Sequence, residues 1–264
     1  MIPKIIHYCW FGGNPLDDAA LKCINSWKTF FPDYEIIQWN ETNFDLSQIE
    51  FMQKAYNDKK WAFVSDVARL LILYSHGGFY FDTDVEVLRS FDDIINAETK
   101  GFFGLEKNGL VASGLGCGSV AEHPFLRRHI EVYKKINYDT YKDNLSDIAC
   151  PRITTYLLEQ EGFIRSNTLQ CVSDFMIYPS EYFSPIDYNT GKMKRTKHTH
   201  SIHWYNASWQ DARTKEEQEK LRFWVSLLGC KMGEMIHGII STMRREGVSH
   251  YIQARIRKYI KRGK

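Results

Sequence analysis

The stretch SDVARLLILYSHGGFYFDTDV, residues 65–85, decides the fold of this chain. Apolar residues at helical spacing predict a helix over Ala62–Tyr74, which Gly77-Gly78 ends. Phe79–Phe81 follows with the pattern of a short buried strand. The motif Asp82-Thr83-Asp84 therefore stands at the C-terminal end of a strand, which is where open α/β sheets bind their ligands.

The Asp-x-Asp motif is typical of a metal site. Two carboxylates one residue apart concentrate negative charge, which a divalent cation such as Mn²⁺ or Mg²⁺ relieves. Such a cation also neutralises the charge that develops when a substrate diphosphate leaves. The tripeptide alone does not decide the matter, because many Asp-x-Asp sequences are solvated loops. Asp66 and Arg69, three residues apart on the preceding helix, either hold ribose or sugar hydroxyls or form an ordinary surface ion pair.

The first forty residues have a β-α-β pattern. Lys4–Trp10 is an apolar strand that stops at Gly12-Gly13, Asp17–Phe30 has helical spacing, and Tyr34–Trp39 returns as a strand. This pattern opens a parallel-sheet α/β fold.

Further elements are predicted along the rest of the chain. They are helices at Ile49–Asn57, near Pro124–Lys135 and near Arg152–Glu161, a strand at Gly101–Leu105, a Gly-rich stretch at Gly109–Gly118, one long helical stripe from Glu216 to Met243, and a second stripe from Val248 to Ile260.

The composition suits a soluble globular protein with a basic C-terminal part. The chain has 264 residues, of which 44% are hydrophobic and 25% charged, and this length suits one α/β domain with an appendage. Residues 213–264 contain thirteen Lys and Arg against five Asp and Glu, whereas the whole chain has a net charge of +2. The six cysteines lack zinc spacing and are expected to be small buried side chains. Without a signal peptide or a membrane span, we expect a cytoplasmic protein.

A second group of polar and aromatic residues lies in SIHWYNASW, residues 201–209. An imidazole can complete a metal site and an indole can stack on a base or a sugar. His198 and His200 lie just upstream, but no Cys or Glu at matching spacing supports zinc. A cluster of exposed loop histidines is the alternative.

These features together resemble the bacterial capsular-polysaccharide branch of the Asp-x-Asp sugar transferases, glycosyltransferase family 32. The chain is more distantly similar to the glucosylating domains of large clostridial toxins. The resemblance covers about residues 1–210 and rests on four blocks: IPKIIHYCWFGG, SWKTFFPDYEIIQWN, AFVSDVARLLILYSHGGFYFDTDVEVL and IHWYNASW. It implies an α/β fold of the GT-A type and transfer of a hexose with retention of configuration from a nucleotide-sugar donor, with a UDP-sugar expected.

The resemblance also implies a donor site made of residues from all four blocks: Trp10 stacked on the nucleobase with Asn40 near it, Asp66 and Arg69 on the donor sugar, Tyr80 close to the donor, Asp82 on ribose and sugar, and Ser208 and Trp209 on the diphosphate. Asp84 would be a direct metal ligand. His203 stands where the family carries its C-terminal metal or diphosphate ligand, although the toxin domains have an acidic residue there.

We expect a catalytic domain at residues 1–212 and a helical basic extension at residues 213–264. The basic amphipathic stripe from Val248 to Lys264 predicts contact with an anionic membrane surface, where a lipid-linked glycan would be the acceptor for capsule synthesis. The stripe from Leu221 to Met243 is instead expected to pack on the catalytic domain. The expected partners are the donor and a glycan acceptor, with no nucleic acid.

Two other function classes fit parts of the sequence. FYFDTDV also matches the start of haloacid-dehalogenase-like phosphatases, in which Asp82 would be a nucleophile and Asp84 a general acid. Those enzymes usually open with this motif, whereas here about eighty residues precede it. The second alternative is a non-catalytic module that binds a nucleotide-sugar.

Overall fold

The computed structural model describes residues 1–188, 190–206 and 212–246. The predicted site residues Ser208 and Trp209 and the stripe from Val248 to Lys264 lie outside these ranges. The described residues form two compact units. One holds residues 1–186 and 193–206, and the other holds residues 187–192 and the two C-terminal helices. The prediction of two domains divided at residue 212 remains a prediction.

The larger unit is built on a mixed sheet of eight strands among the described residues. The strands of this sheet are β1 Ile5–Cys9, β2 Glu35–Trp39, β3 Gly78–Tyr80, β5 Gly101–Leu105, β6 Val111–Ala112, β7 Cys117–Ser119, β8 Gln170–Val172 and β9 Phe175–Tyr178. Their order is β2-β1-β3-β7-β5-β9-β8, with β6 paired to β5.

Strand directions place the C-terminal ends of several strands at one edge of this sheet. β1 pairs in parallel with both β2 and β3, which confirms the predicted β-α-β opening. β7 is antiparallel to β3 and also to β5, so β3 and β5 point the same way. The residues that follow β1, β2, β3 and β5 therefore lie along the same edge.

A second, two-stranded sheet lies beside that edge. It pairs β4 Val85–Val87 with β10 Ser201–His203 in antiparallel fashion, so that His203 lies opposite Val85. β4 begins one residue after Asp84. The pairing thus brings the C-terminal part of the unit directly to the Asp-x-Asp motif.

Helices cover both faces of the large sheet. They are α1 Asp18–Phe30, α2 Glu50–Asn57, α3 Trp61–His76, α4 Pro124–Lys135, α5 Tyr138–Tyr141, α6 Cys150–Glu159 and α7 Ser180–Phe183. Asp17 caps α1 by accepting a hydrogen bond from the Ala20 amide. α3 ends at Gly77, whose positive φ of 65° favours glycine.

Two apolar clusters form the core, one on each side of the sheet. The cluster under α1 is aromatic, with Trp27, Phe31, Phe79 and Phe81 buried together. The Trp27 indole also donates to the carbonyl of Val85 at 2.7 Å. Because this bond ties α1 to β4, the core fixes the segment that carries the acidic motif.

The smaller unit contains α8 Ala212–Leu228 and α9 Cys230–Glu246. The single long helix predicted from Glu216 to Met243 is wrong, because Gly229 adopts a φ of 78° and ends α8. Gly233 of α9 then packs closely on the backbone of Val225, where a Cβ would lie 2.5 Å away. The two helices therefore contact each other through a small residue.

The burial of the cysteines and the hydropathy of the helices bear on two further expectations. Cys171 is exposed, so the expectation that all six cysteines are buried is wrong, while Cys9, Cys23, Cys117 and Cys150 are buried as expected. Cys171 lies in β8 at the border of the sheet, where one face meets solvent. None of the helices among the described residues is long and apolar enough to cross a bilayer.

Candidate active site

The side chains of Asp82, Asp84 and His203 converge at the ligand-binding edge of the sheet. His203 Nε2 lies 3.1 Å from Asp84 Oδ1 and 3.9 Å from Asp82 Oδ2. One oxygen or nitrogen from each residue falls within 4.8 Å of the others. The tertiary structure thus brings together the three residues that the resemblance placed around the metal and the donor.

Backbone pairing fixes the geometry of this group. The Trp204 amide donates to the Asp84 carbonyl at 2.9 Å, and the Asn206 amide donates to Asp84 Oδ2 at 3.0 Å. Trp204 also donates through its indole to Glu86 at 2.9 Å. The segment after β10 is therefore held against the acidic motif by main chain and side chain together.

The charges in the group depend on one another. Burial would raise the pKa of Asp84, but His203 and the Asn206 amide outweigh it, and the pKa is lowered. Burial would likewise lower the pKa of His203, but Asp84, Asp82 and Glu106 outweigh it, and the pKa is raised. For Asp82, burial is the largest effect and raises the pKa. The His203 imidazole and the Asp84 carboxylate therefore each favour the charged form of the other.

These donors fit a divalent cation that accepts oxygen and imidazole ligands. Two carboxylates and one imidazole suit Mn²⁺ better than a thiolate-seeking metal. The second ring nitrogen of His203, Nδ1, is buried and has no hydrogen-bond partner among the described residues. The proton on Nε2 bonds the Asp84 carboxylate, 3.1 Å away, and Nε2 would lose this proton on becoming a ligand of a metal ion.

A buried arginine forms the other half of the site. Arg69 is only 4% exposed, and its Nη2 lies 3.0 Å from Asp66 Oδ1 and 3.1 Å from Asp82 Oδ1. Asp66 accepts a further hydrogen bond from the Cys150 amide at the start of α6. The alternative of an ordinary surface ion pair for Asp66 and Arg69 is therefore wrong.

Arg69 is held on every side. Its Nε donates to the Ser65 carbonyl at 3.1 Å and its Nη1 to the Ser113 hydroxyl at 3.2 Å. The ring of Tyr80 lies under the guanidinium, 4.8 Å from Cζ. Tyr80 is 1% exposed, so in this structure it supports Arg69 from below and does not reach the open surface.

Sequence patterns did not reveal the contributions of Ser113, Gly114 and Cys150. A Cβ on Gly114 would lie 2.2 Å from Asp82 Oδ2 and 3.0 Å from Arg69 Nη1, so only glycine fits between these side chains. Both Ser113 and Gly114 lie in the Gly-rich stretch at Gly109–Gly118. That stretch was the only available signal, and it did not identify the contacts.

Trp10 and Asn40 lie at the same edge, directly after β1 and β2. The Trp10 amide donates to the Trp39 carbonyl, and its indole donates to the Asn14 carbonyl at 2.7 Å. The side-chain oxygen of Asn40 accepts from the Thr42 amide at 2.9 Å. Both residues therefore belong to loops next to the acidic group, outside its hydrogen-bond network.

His200, directly before β10, has a structural role. His200 is 1% exposed, and its Nε2 lies 2.8 Å from Asp93 Oδ1. Its ring stacks on Tyr182 at 5.6 Å. The alternative of exposed loop histidines is thus wrong for His200. Among the described residues, His203 is the histidine that joins the group suited to a metal.

Comparison with known proteins finds similar glycosyltransferases. Residues 17–100 match the family model described as "Glycosyltransferase sugar-binding region containing DXD motif". The chain is 30% identical over 103 residues to inositol phosphoceramide mannosyltransferase 3 of Schizosaccharomyces pombe. The aligned region covers 36% of this chain and 28% of that protein. It is 24% identical over 132 residues to the human alpha-1,4-N-acetylglucosaminyltransferase, over 50% of this chain and 36% of that protein. The predicted resemblance to Asp-x-Asp glycosyltransferases is confirmed.

Structural similarity supports the fold. The solved structure of PaToxG glycosyltransferase matches with a TM-score of 0.52 at 19% identity, over 61% of this chain and 70% of that chain. The predicted GT-A fold is confirmed. The matched parts span less than half the length of these curated relatives.

Proposed function

We propose that this protein is a retaining, metal-dependent glycosyltransferase. It moves a hexose from a nucleotide-sugar donor to a glycan or lipid-linked glycan acceptor, and UDP-sugars are the first donors to test. The observation that carries this proposal is the convergence of Asp82, Asp84 and His203 beside the buried pair of Asp66 and Arg69. The group of Asp82, Asp84 and His203 forms a metal half that suits a metal-bound diphosphate. The pair of Asp66 and Arg69 forms a sugar half that suits sugar hydroxyls. A glycosyltransferase needs both halves next to each other.

The metal half would hold the leaving group. Asp84 and His203 would hold Mn²⁺ or Mg²⁺, which when bound would neutralise the negative charge of the departing nucleotide diphosphate. Asp82 Oδ1 lies 3.1 Å from Nη2 of Arg69, a cationic partner that favours the ionised carboxylate. It would therefore remain an anion that accepts hydrogen bonds from ribose and sugar hydroxyls. Ser208 and Trp209 are proposed to contact the diphosphate.

The sugar half would orient the donor. Arg69 is fixed by four groups and cannot swing toward a ligand without leaving Asp66 and Asp82 unpaired in a buried place. We propose that it keeps both carboxylates ionised and aligned, and that their remaining oxygen lone pairs accept hydroxyl groups of the sugar. Asp66 is 13% and Asp82 28% exposed, which leaves part of each carboxylate accessible.

The nucleoside is proposed to lie over the ends of β1 and β2. Trp10 is half-buried there and offers an aromatic face, and Asn40 lies one residue beyond β2. An indole next to a diphosphate site suits a base, because stacking is worth about 1–3 kcal/mol per base.

The proposed reaction keeps the configuration of the anomeric carbon. The bond between that carbon and the diphosphate oxygen breaks with the electron pair going to the oxygen. The acceptor hydroxyl then forms a new bond from the same face. Its proton passes to the departing diphosphate oxygen, so an additional base is not required. In this mechanism the chain contributes alignment and charge stabilisation.

The relatives support the choice of substrates. One is named as a mannosyltransferase acting on inositol phosphoceramide, and another as an N-acetylglucosaminyltransferase. A lipid-linked glycan acceptor in capsule or surface polysaccharide synthesis is our proposal for this chain, at the cytoplasmic face of the membrane.

Peripheral contact with an anionic membrane is part of the same proposal. Residues 213–264 have an excess of eight positive charges, thirteen Lys and Arg less five Asp and Glu. Around the turn between α8 and α9, four large apolar side chains are more than half exposed: Phe223, Leu227, Met232 and Met235. Exposed apolar groups near basic residues are typical of interfacial helices.

One experiment separates this proposal from the two alternatives. The protein is incubated with Mn²⁺ and a panel of UDP- and GDP-sugars, and donor hydrolysis and thermal stabilisation are followed. Donor turnover that requires the metal supports a glycosyltransferase. Stabilisation without turnover would favour a binding module, and phosphate release from phospho-sugars alone would favour a phosphatase.

A further inference from the structure

Glu106 lies at the same edge of the sheet as the acidic motif, although it belongs to a different strand. It follows β5 directly, and β5 and β3 run in the same direction on either side of β7. Phe79 of β3 and Phe102 of β5 both pair with Gly118, so these two residues are level. Asp82 is three residues beyond Phe79 and Glu106 is four beyond Phe102. The two carboxylates therefore lie within one residue of the same height.

The register also gives the width of the space between them. Neighbouring strands lie about 4.8 Å apart, so the ends of β3 and β5 are separated by two spacings, about 10 Å. The turn Ser113–Leu115 lies between them and contains Gly114, which packs against Asp82. Gly114 adds no side chain of its own between Asp82 and Glu106. A separation of about 10 Å between the strand ends is wide enough for one sugar ring.

Local contacts hold Glu106 in a fixed position. Its carbonyl accepts from the Gly109 amide at 2.9 Å, and its amide donates to the Leu110 carbonyl at 2.8 Å. One carboxylate oxygen accepts from the Asn108 side chain at 2.8 Å. Among residues 1–188, 190–206 and 212–246, no Lys or Arg forms an ion pair with Glu106. Most of its hydrogen-bonding capacity is thus unused.

The side chain of Glu106 indicates the class of ligand. Burial raises the pKa of its carboxyl group. A half-buried carboxylate repels phosphate and attracts hydrogen-bond donors, so a neutral polyhydroxy group is the ligand class that suits it.

We propose that Glu106 forms the far wall of the sugar subsite and accepts hydrogen bonds from hydroxyl groups of a hexose bound between it and Asp82. This inference rests on the proposed function and names a residue that recognises the sugar. The sugar is either the one being transferred or the first residue of the acceptor. Both present the same hydroxyl chemistry, and the experiment distinguishes them.

The test compares Glu106→Gln and Glu106→Ala with the wild-type protein and with Glu98→Gln. Glu98 is an exposed glutamate at the opposite end of β5 and serves as a matched control. Three quantities are measured with Mn²⁺: the affinity for the nucleoside diphosphate, hydrolysis of the donor without acceptor, and transfer to an acceptor. The Gln side chain keeps the shape of Glu, so we expect the Glu106→Gln variant to fold normally. Its melting temperature is compared with that of wild type to check this.

We expect both Glu106 variants to bind the nucleoside diphosphate like wild type and to lose about 10-fold to 100-fold in turnover, as for loss of a hydrogen bond to a charged group. A fall in both hydrolysis and transfer identifies the donor sugar, and a fall in transfer alone identifies the acceptor. Unchanged rates would overturn the inference, as would weaker diphosphate binding, which would assign Glu106 to the metal group. If wild type turns over no donor, the proposed function fails first, and the inference with it.

Discussion

His203 Nε2 lies 3.1 Å from Asp84 Oδ1, although His203 ends β10 and Asp84, directly before β4, is far from it in the sequence. The antiparallel pairing of β10 with β4 creates this contact, because it sets His203 opposite Val85. The metal group therefore depends on a small sheet of two strands. Without the pairing of these two strands, His203 would not reach the Asp-x-Asp motif, and the motif would be only an acidic turn.

Replacing Asp84 by Asn should abolish Mn²⁺-dependent donor turnover while leaving the fold intact. The amide keeps the shape of the carboxylate but removes the charge that a divalent cation requires. Binding of Mn²⁺ is measured by titration calorimetry, and the melting temperature is compared with and without Mn²⁺ and nucleoside diphosphate. Asp93→Asn is the matched control, since Asp93 also pairs with a histidine, His200, outside the metal group. Near-normal turnover in the Asp84 variant would contradict the metal assignment.

Replacing Arg69 by Met should destabilise the protein by about 3 kcal/mol, because it leaves Asp66 and Asp82 buried without their shared cation. The loss is measured by urea unfolding, and adding Asp66→Asn should recover part of it. Lys134→Met removes a surface pair with Glu131, both about half exposed, and should change stability by less than about 0.5 kcal/mol. Equal losses in the two variants would show that the Arg69 network is not a buried one.

Replacing Gly114 by Ala should lower donor turnover by about 100-fold, since the new methyl group would displace Asp82 from its place beside Arg69. We expect a moderate stability cost of about 1–3 kcal/mol from overpacking. Gly238→Ala, in α9 with open space around it, should instead be neutral or stabilising by up to about 1 kcal/mol. Turnover and urea midpoints of both variants check this, and full activity of the Gly114 variant would argue against the tight packing.

Histidine 7 should make the protein less stable as the pH falls. The Trp39 indole donates to Nδ1 of His7 at 3.1 Å, so Nδ1 is an acceptor and Nε2 carries the proton given to the Gly77 carbonyl. Burial lowers the pKa of His7 from 6.5 to about 4. Below pH 6.5 the unfolded chain binds a proton that the folded chain refuses, so stability is full above this pH and falls toward pH 4.

The expected loss from His7 alone is about 2 kcal/mol between pH 7 and pH 4.5. Urea unfolding of wild type and His7→Gln at both pH values measures it, and the variant should lose less stability than wild type over this interval. Parallel loss in the two proteins would show that His7 is not held neutral in the fold.

Replacing Phe223 and Leu227 together by Ser should weaken binding to anionic liposomes in a sedimentation assay. Both side chains are exposed on α8, so their removal takes apolar area away from a membrane contact without opening a core. Leu21→Ser removes an exposed leucine of α1 and is the control. If the double variant binds liposomes as wild type does, α8 is not part of the contact. A chain truncated after Val248 then tests the basic stripe.

Local sequence signals are enough to predict the structure around the acidic motif. Periodic apolar residues, the Gly-Gly stop and the short strand before Asp82 are local signals, and they gave the order of helix, turn and strand correctly, with ends shifted by one or two residues. The parallel pairing of the first two strands also followed, because a β-α-β unit allows little else.

The residues that complete the site come together only through tertiary contacts. Arg69 meets Asp82 because α3 packs against the sheet, and Ser113, Gly114 and Glu106 approach because β5, β6 and β7 set their register. The position of a side chain in the fold depends on how distant segments pair. Such pairing leaves no periodic pattern in the sequence of either segment. The break at Gly229 was missed for a related reason, since the apolar stripe continues through it while backbone conformation at one glycine separates the helices.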